Sequence, residues 1–151
     1  MTLERILLSV GPEDRDHLDG LVDSTADVAE STGATVYVLY AFSDDEYDEL
    51  LERMDADEKS GGLSPDEVAM RHDSVRIPGD RFEELGIDFE IRGVAGGVPS
   101  AQVARKSDEL DADVVVVGGA ERSPAGKAVF GDYAQQVLLD APCPVLYVKR
   151  E

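Results

Sequence analysis

Hydrophobic positions along the chain alternate between unbroken runs and three-to-four-residue spacing, which predicts strands alternating with helices. Leu3 to Val10 is an apolar run ended by Gly11-Pro12, as a buried strand requires. Leu18, Leu21, Val22, Thr25, Val28, Ala29 and Thr32 then recur at helical spacing, with acids on the opposite face. Pro12 near the start and Gly33 past the end punctuate this helix. Thr35 to Ala41 is rich in β-branched and aromatic residues and lacks alternation, so it predicts a second strand covered on both faces.

The middle of the chain is less regular. Tyr47, Leu50, Leu51 and Met54 predict a short amphipathic helix, broken by Lys59-Ser60-Gly61-Gly62. Ser64-Pro65-Asp66-Glu67 has the pattern of another helix start, and Pro78-Gly79 interrupts again before Phe82 and Leu85. Residues 43–85 therefore read as a helical and loop excursion inside one domain spanning 1–151.

Regularity returns at Ile87 to Arg92, a third strand. Val98 to Leu110 predicts a helix with Val103, Ala104, Ser107 and Leu110 inward. Ala112 to Val117 is the strongest strand and ends at Gly118-Gly119. After a loop, Phe130, Tyr133, Ala134, Val137, Leu138 and Ala141 mark one face of a last helix, stopped by Pro142. Val145 to Lys149 is the last strand. Strands alternating with helices in this way predict an α/β fold: an open, doubly wound parallel sheet of five strands. Ligands in such sheets bind at the carboxyl ends of the strands, where strand order reverses. Here those ends are Val10-Gly11, Ala41-Phe42, Arg92-Gly93 and Gly118-Gly119.

Charge narrows the partners. The 151 residues include 33 acids against 14 bases, a formal net charge of -19. Such a surface repels nucleic acid and anionic membranes, so neither is expected as a partner. The acids are scattered, as in Asp14, Asp16, Asp19, Asp23 and Asp27, in the manner of a surface adapted to molar salt. An acidic module for a basic partner is the competing reading. No apolar run is long enough to span a bilayer, and Met1 to Arg5 lacks the features of a secretory signal. The single cysteine, Cys143, excludes an internal disulfide framework and reads as a buried thiol. A cytoplasmic location is expected.

The carboxyl third carries a recognisable pattern: Val114-Val115-Val116-Val117-Gly118-Gly119, then Gly131, Val137-Leu138 and Ala141-Pro142-Cys143-Pro144-Val145-Leu146. This resembles the universal stress protein family, and strand one, the first helix and Asp111-Ala112-Asp113 agree with it. The resemblance implies an adenine nucleotide alpha hydrolase-like fold with strand order 3-2-1-4-5. It also implies a homodimer joined through the last strand, Val145, Leu146, Tyr147, Val148 and Lys149. Of Leu146 and Tyr147, one is expected in the core and the other at the dimer contact.

Nucleotide-binding members carry three spaced glycines followed by Ser or Thr. The resemblance places the first on Gly118 and the third on Gly131, but the second falls on Glu121 and the hydroxyl position on Asp132. Glycines let the backbone approach phosphate as a nest of N–H groups, whereas a carboxylate about 4 Å from a phosphate charge costs about 4 kcal/mol at an effective dielectric of 20. The Asp that closes strand one in binding members is replaced by Gly11, next to Val10. Gly119, Arg122 and Lys127 complete the candidate anion site, and ATP with magnesium is its possible ligand. Asp132 reads as a helix cap, with a cation-bridging carboxylate as the sharper alternative. Gly126-Lys127 is not a P-loop, because Glu121 and Ala128 stand where it needs Gly and Ser or Thr. Gly93, Gly96 and Gly97 do not form a dinucleotide fingerprint and read as a turn. His17 and His72 stand alone in acidic, exposed stretches, so no catalytic group is expected. The resulting expectation is a stress-response or regulatory dimer with a degenerate nucleotide site and an unidentified protein partner. The alternatives are a nucleotide switch or slow ATPase using the glycine loop, and a metabolite binder in the same crevice.

Overall fold

Ile6, Leu7, Leu8, Ser9 and Val10 have no exposed surface, which fits the central place of strand β1 (Arg5–Val10) in the sheet. The computed structural model describes residues 2–54, 64–119, 121–122, 128–129 and 132–149. A 3-10 turn at Pro12–Asp14 follows β1, then α1 (Leu18–Thr32) and β2 (Thr35–Phe42). The excursion comprises α2 (Asp44–Met54), α3 (Pro65–Met70) and α4 (Asp73–Glu84). Then come β3 (Phe89–Ala95), α5 (Pro99–Glu109), β4 (Val114–Gly118), the short β5 (Glu121–Arg122) and β6 (Ala128–Val129), α6 (Asp132–Asp140) and β7 (Val145–Val148).

The main sheet is parallel throughout, in the order β3-β2-β1-β4-β7. With the separate antiparallel pair β5–β6 set aside, this is the expected order 3-2-1-4-5 of the adenine nucleotide alpha hydrolase-like fold. Successive side chains point to opposite faces, so each strand feeds two cores. Ile6, Leu8, Val10, Tyr40 and Phe42 pack with α1, α3 and α4. Leu7, Leu39, Val115 and Val117 pack with Val103 of α5 and Ala134 and Val137 of α6.

α1 is the helix that the spacing predicts, closed by Gly33 at φ 72 with its N–H on the Ala29 carbonyl. Pro12 heads the 3-10 turn instead of α1, which begins at Leu18. Ser64 caps α3, accepting from the Glu67 N–H at 3.3 Å. The Lys59–Gly62 break and Phe130 lie outside the described residues.

Three expectations are corrected. Pro78-Gly79 does not interrupt the helix: α4 runs through both, because Val75, Pro78, Gly79 and Phe82 form one buried stripe. Burial of that stripe outweighs the roughly 3 kcal/mol that proline costs inside a helix. The third strand starts at Phe89, not Ile87, since the Ile87 N–H returns to the Phe82 carbonyl at 2.9 Å and belongs to the closure of α4. Likewise Ala112 closes α5 through its N–H to the Ser107 carbonyl at 2.9 Å, beside Asp111 at φ 52, so β4 begins at Val114.

α3 lies so close to β3 that Gly93 has no room for a side chain. A Cβ there would sit 2.1 Å from the Pro65 carbonyl oxygen, and the Gly93 N–H donates to Asp66 Oδ1 at 2.8 Å. Gly93→Ala is therefore expected to cost about 1–3 kcal/mol in denaturant unfolding, the usual penalty of overpacking. Gly20→Ala on α1, where a Cβ meets nothing within 4 Å, is the matched control and stays within about 1 kcal/mol of the parent.

Candidate functional site

β1 and β4 lie side by side at the point where strand order reverses, so their carboxyl ends flank the crevice of the sheet. Val10 at the end of β1 and Gly11 just after it share this end of the sheet with Gly118, the last residue of β4, and Gly119 just after it. Gly118 is needed for packing, because a Cβ would lie 2.9 Å from Leu21 Cδ2 and 3.2 Å from Asp14 Oδ1. Gly119 has φ 148 and donates its N–H to the Val148 carbonyl at 3.1 Å, prolonging the β4–β7 ladder. Both glycines thus serve turn and packing geometry whether or not a ligand approaches them.

The remaining candidates are less fully placed. Arg122 lies in β5 and Asp132 is the first residue of α6. Lys127 and Gly131 lie outside the described residues.

The site also holds a buried acid that the hydrophobic pattern does not reveal: Asp14, which reads as one of the scattered surface acids, is only 2% exposed. The 3-10 turn folds it back over the strand tip, where its Oδ2 accepts the Gly11 N–H at 2.9 Å. A carboxylate therefore occupies the tip of β1 although the residue closing the strand is glycine. The signal was local: Gly-Pro followed two residues later by Asp reads as a turn in which the acid hydrogen-bonds its own backbone.

Ser9 and Tyr133 were missed as a pair. Ser9 Oγ and Tyr133 Oη are 2.5 Å apart and join β1 to the first turn of α6. Burial pushes the Tyr133 phenol up; the Ser9 hydrogen bond opposes that shift and the Asp14 charge adds to it. The phenol is thus neutral at physiological pH and acts as a hydrogen-bonding strut.

Beside the crevice, a cleft of about 390 Å³ opens between the start of α1 and the ends of β4 and β7. Asp16, His17, Leu21, Gly118, Val148 and Lys149 are among its walls. Lys149, expected within the last strand, falls just past β7. His17 is exposed, but His72 is neither exposed nor alone: the α3–α4 junction stacks it on Tyr40 with ring centroids 4.3 Å apart. Cys143 is partly buried beside the α5–α6 core, and burial raises its thiol pKa. Tyr147 packs into that same core, whereas Leu146 on the other face is 36% exposed.

The sequence pattern described as the universal stress protein family matches residues 3–149. The chain belongs to the universal stress protein family. A universal stress protein of Mycolicibacterium smegmatis is 39% identical over 68 residues, which is 45% of this chain and 52% of that protein. One from Methanocaldococcus jannaschii is 29% identical over 68 residues, 45% of this chain and 39% of the relative. The matches thus span about half or less of those relatives. Among solved structures, a universal stress protein in complex with cAMP superposes with TM-score 0.69 at 20% identity, covering 100% of both chains. The Archaeoglobus fulgidus universal stress protein in complex with dAMP gives 0.66 at 20% identity, covering 99% of this chain and 100% of the other. At these identities the likeness establishes the fold.

The Ser9–Tyr133 strut makes a measurable prediction. Tyr133→Phe leaves the fully buried Ser9 hydroxyl without this partner, and the expected loss is about 1–3 kcal/mol in urea unfolding. Removing both hydroxyls with Ser9→Ala/Tyr133→Phe should recover much of that loss, as a double-mutant cycle would show.

Proposed function

We propose that this protein is a regulatory, dimeric member of its family that acts by association rather than turnover, with a crevice poorly suited to a triphosphate. The packing of the glycine turn carries the reading. Gly118 faces Leu21 and the Asp14 side chain, and Gly119 gives its N–H to the Val148 carbonyl, so the space and the donors that a phosphate nest needs are taken up by the chain itself. The cAMP and dAMP complexes of universal stress proteins with this fold support an adenine nucleotide as the ligand class. Among the described residues no three His, Cys, Asp or Glu side chains converge as metal ligands.

The scattered acids fit a protein working in salt-rich cytoplasm, where screening relieves the net charge of -19. No helix among the described residues is long and apolar enough to cross a membrane. Dimerisation uses β7, which pairs with β4 and, among the described residues, has no further strand beyond it. An edge of this kind is a template for pairing with a second copy, and Leu146 supplies exposed apolar surface to the contact.

Titration calorimetry in molar KCl tests the ligand reading. Binding of dAMP or cAMP should exceed that of ATP with magnesium by at least about tenfold, or about 1.4 kcal/mol. Micromolar ATP binding by the protein overturns the proposal. ATP turnover above the protein-free rate would select the slow ATPase instead.

Sedimentation in the same buffer tests the dimer. The expected result is twice the chain mass of 16.3 kDa, shifting to monomer on Leu146→Asp. A monomeric parent protein rules out assembly through β7.

A further inference from the structure

We propose that His72 is an acid-sensitive latch that fastens the start of α4 to the tip of β2, independently of whatever the crevice binds. His72 stands at the N-cap of α4, where its Nδ1 accepts the Ser74 N–H at 3.2 Å. That contact requires a lone pair on Nδ1, so the neutral ring carries its proton on Nε2. Nε2 points toward Glu46 Oε2 of α2 at 4.0 Å. The same carboxylate oxygen accepts the Tyr40 hydroxyl at 2.6 Å. Three elements therefore meet at one imidazole.

Protonation disrupts this arrangement at its cap. With hydrogen on both ring nitrogens, Nδ1 confronts the Ser74 N–H as a second donor. Ser74 is 2% exposed, so water cannot readily take over the bond. Turning the ring away would disturb the stack on Tyr40, which is the register partner of Val10 at the crevice. The cap and the crevice wall are thus connected through adjacent residues of β1 and β2.

Charged groups surround the ring on each packed element. Burial is the largest influence and lowers the His72 pKa; the side chain is 20% exposed. Glu46 from α2 and Asp73 from α4 oppose that shift, while Arg15 from the turn after β1 adds to it. Tyr40 is neutral, its pKa raised by burial and by its hydrogen bond to Glu46. Glu67 of α3 is turned to Ser64, and Arg71 is exposed. The sign follows: the unfolded chain takes up a proton first, so the stabilisation is complete above about pH 6.5 and is lost as pH falls through the lower folded value.

Nuclear magnetic resonance of the imidazole, with amide exchange from pH 8 to pH 5, tests the latch. The neutral ring should show the proton on Nε2 and titrate below about 6.5. Corrected protection at Ser74 should fall about fivefold across that midpoint, the factor given by losing one helix cap. His72→Asn keeps an acceptor at the cap without a titrating ring, so its protection should not vary with pH. Glu46→Gln should move the His72 midpoint lower still, a readout that remains if His72→Asn fails to fold. A midpoint at or above 6.5, a proton on Nδ1, or an unchanged fall in the asparagine variant overturns the proposal.

Discussion

Burial of β1 on both faces, between two parallel neighbours, is the constraint on which the site depends. Its residues pair with Thr35 to Tyr40 on one side and with Val114 to Val116 on the other. A strand enclosed in this way must be apolar through both pleats, and only its tip can meet solvent or ligand. The lower end is pinned: Asp113 accepts the Glu4 and Arg5 N–H groups at 2.8 and 3.0 Å, and those two donors hold its carboxyl below the usual range. At the upper end the backbone turns out through Gly11 and Gly118. The crevice is a consequence of topology before any polar residue enters it.

What enters it then decides its chemistry. A glycine at a strand tip leaves space where a Cβ would be, and either a ligand or another part of the chain can fill that space. At Gly118 the chain fills it, with Leu21 and the carboxylate of Asp14. The same residue type therefore supports two opposite readings, a phosphate nest and a packed turn. The choice between them lies with the residue that faces the glycine. Here that residue is an acid whose Oδ2 already accepts the Gly11 N–H, and the turn is packed by the chain.

Element positions were legible because hydrophobic runs and helical spacing are local properties. α1, β2 and the buried centre of β4 could be read from consecutive residues alone. Strand order came from the family resemblance, and the sheet agrees with it. Boundaries shifted where a helix closed through its backbone, as at Ile87 and Ala112, since that closure leaves no mark on the hydrophobic pattern. Proline in α4 misled because propensity is local whereas the burial of Val75 and Phe82 is tertiary. Side-chain partnerships were the least legible. Ser9 and Tyr133 are 124 positions apart, and the stack of His72 on Tyr40 joins a strand tip to a helix cap. Periodicity says which face a side chain takes, not which distant residue it will meet.

The distinction between surface and site acids has a physical edge that salt exposes. At 1 M ionic strength the screening length is about 3 Å, so exposed carboxylates such as Asp16 and Asp19 repel one another and an incoming anion only weakly. Asp14 is 2% exposed and sits behind Gly11 and Gly118, where mobile ions have little access. Its field is governed by the local dielectric instead of by the bath. Added salt should therefore weaken the repulsion among the surface acids without changing the interactions of Asp14 at the strand tips. The chain thus holds two kinds of carboxylate: the scattered ones that keep the surface dispersed, and the one folded against the end of the sheet.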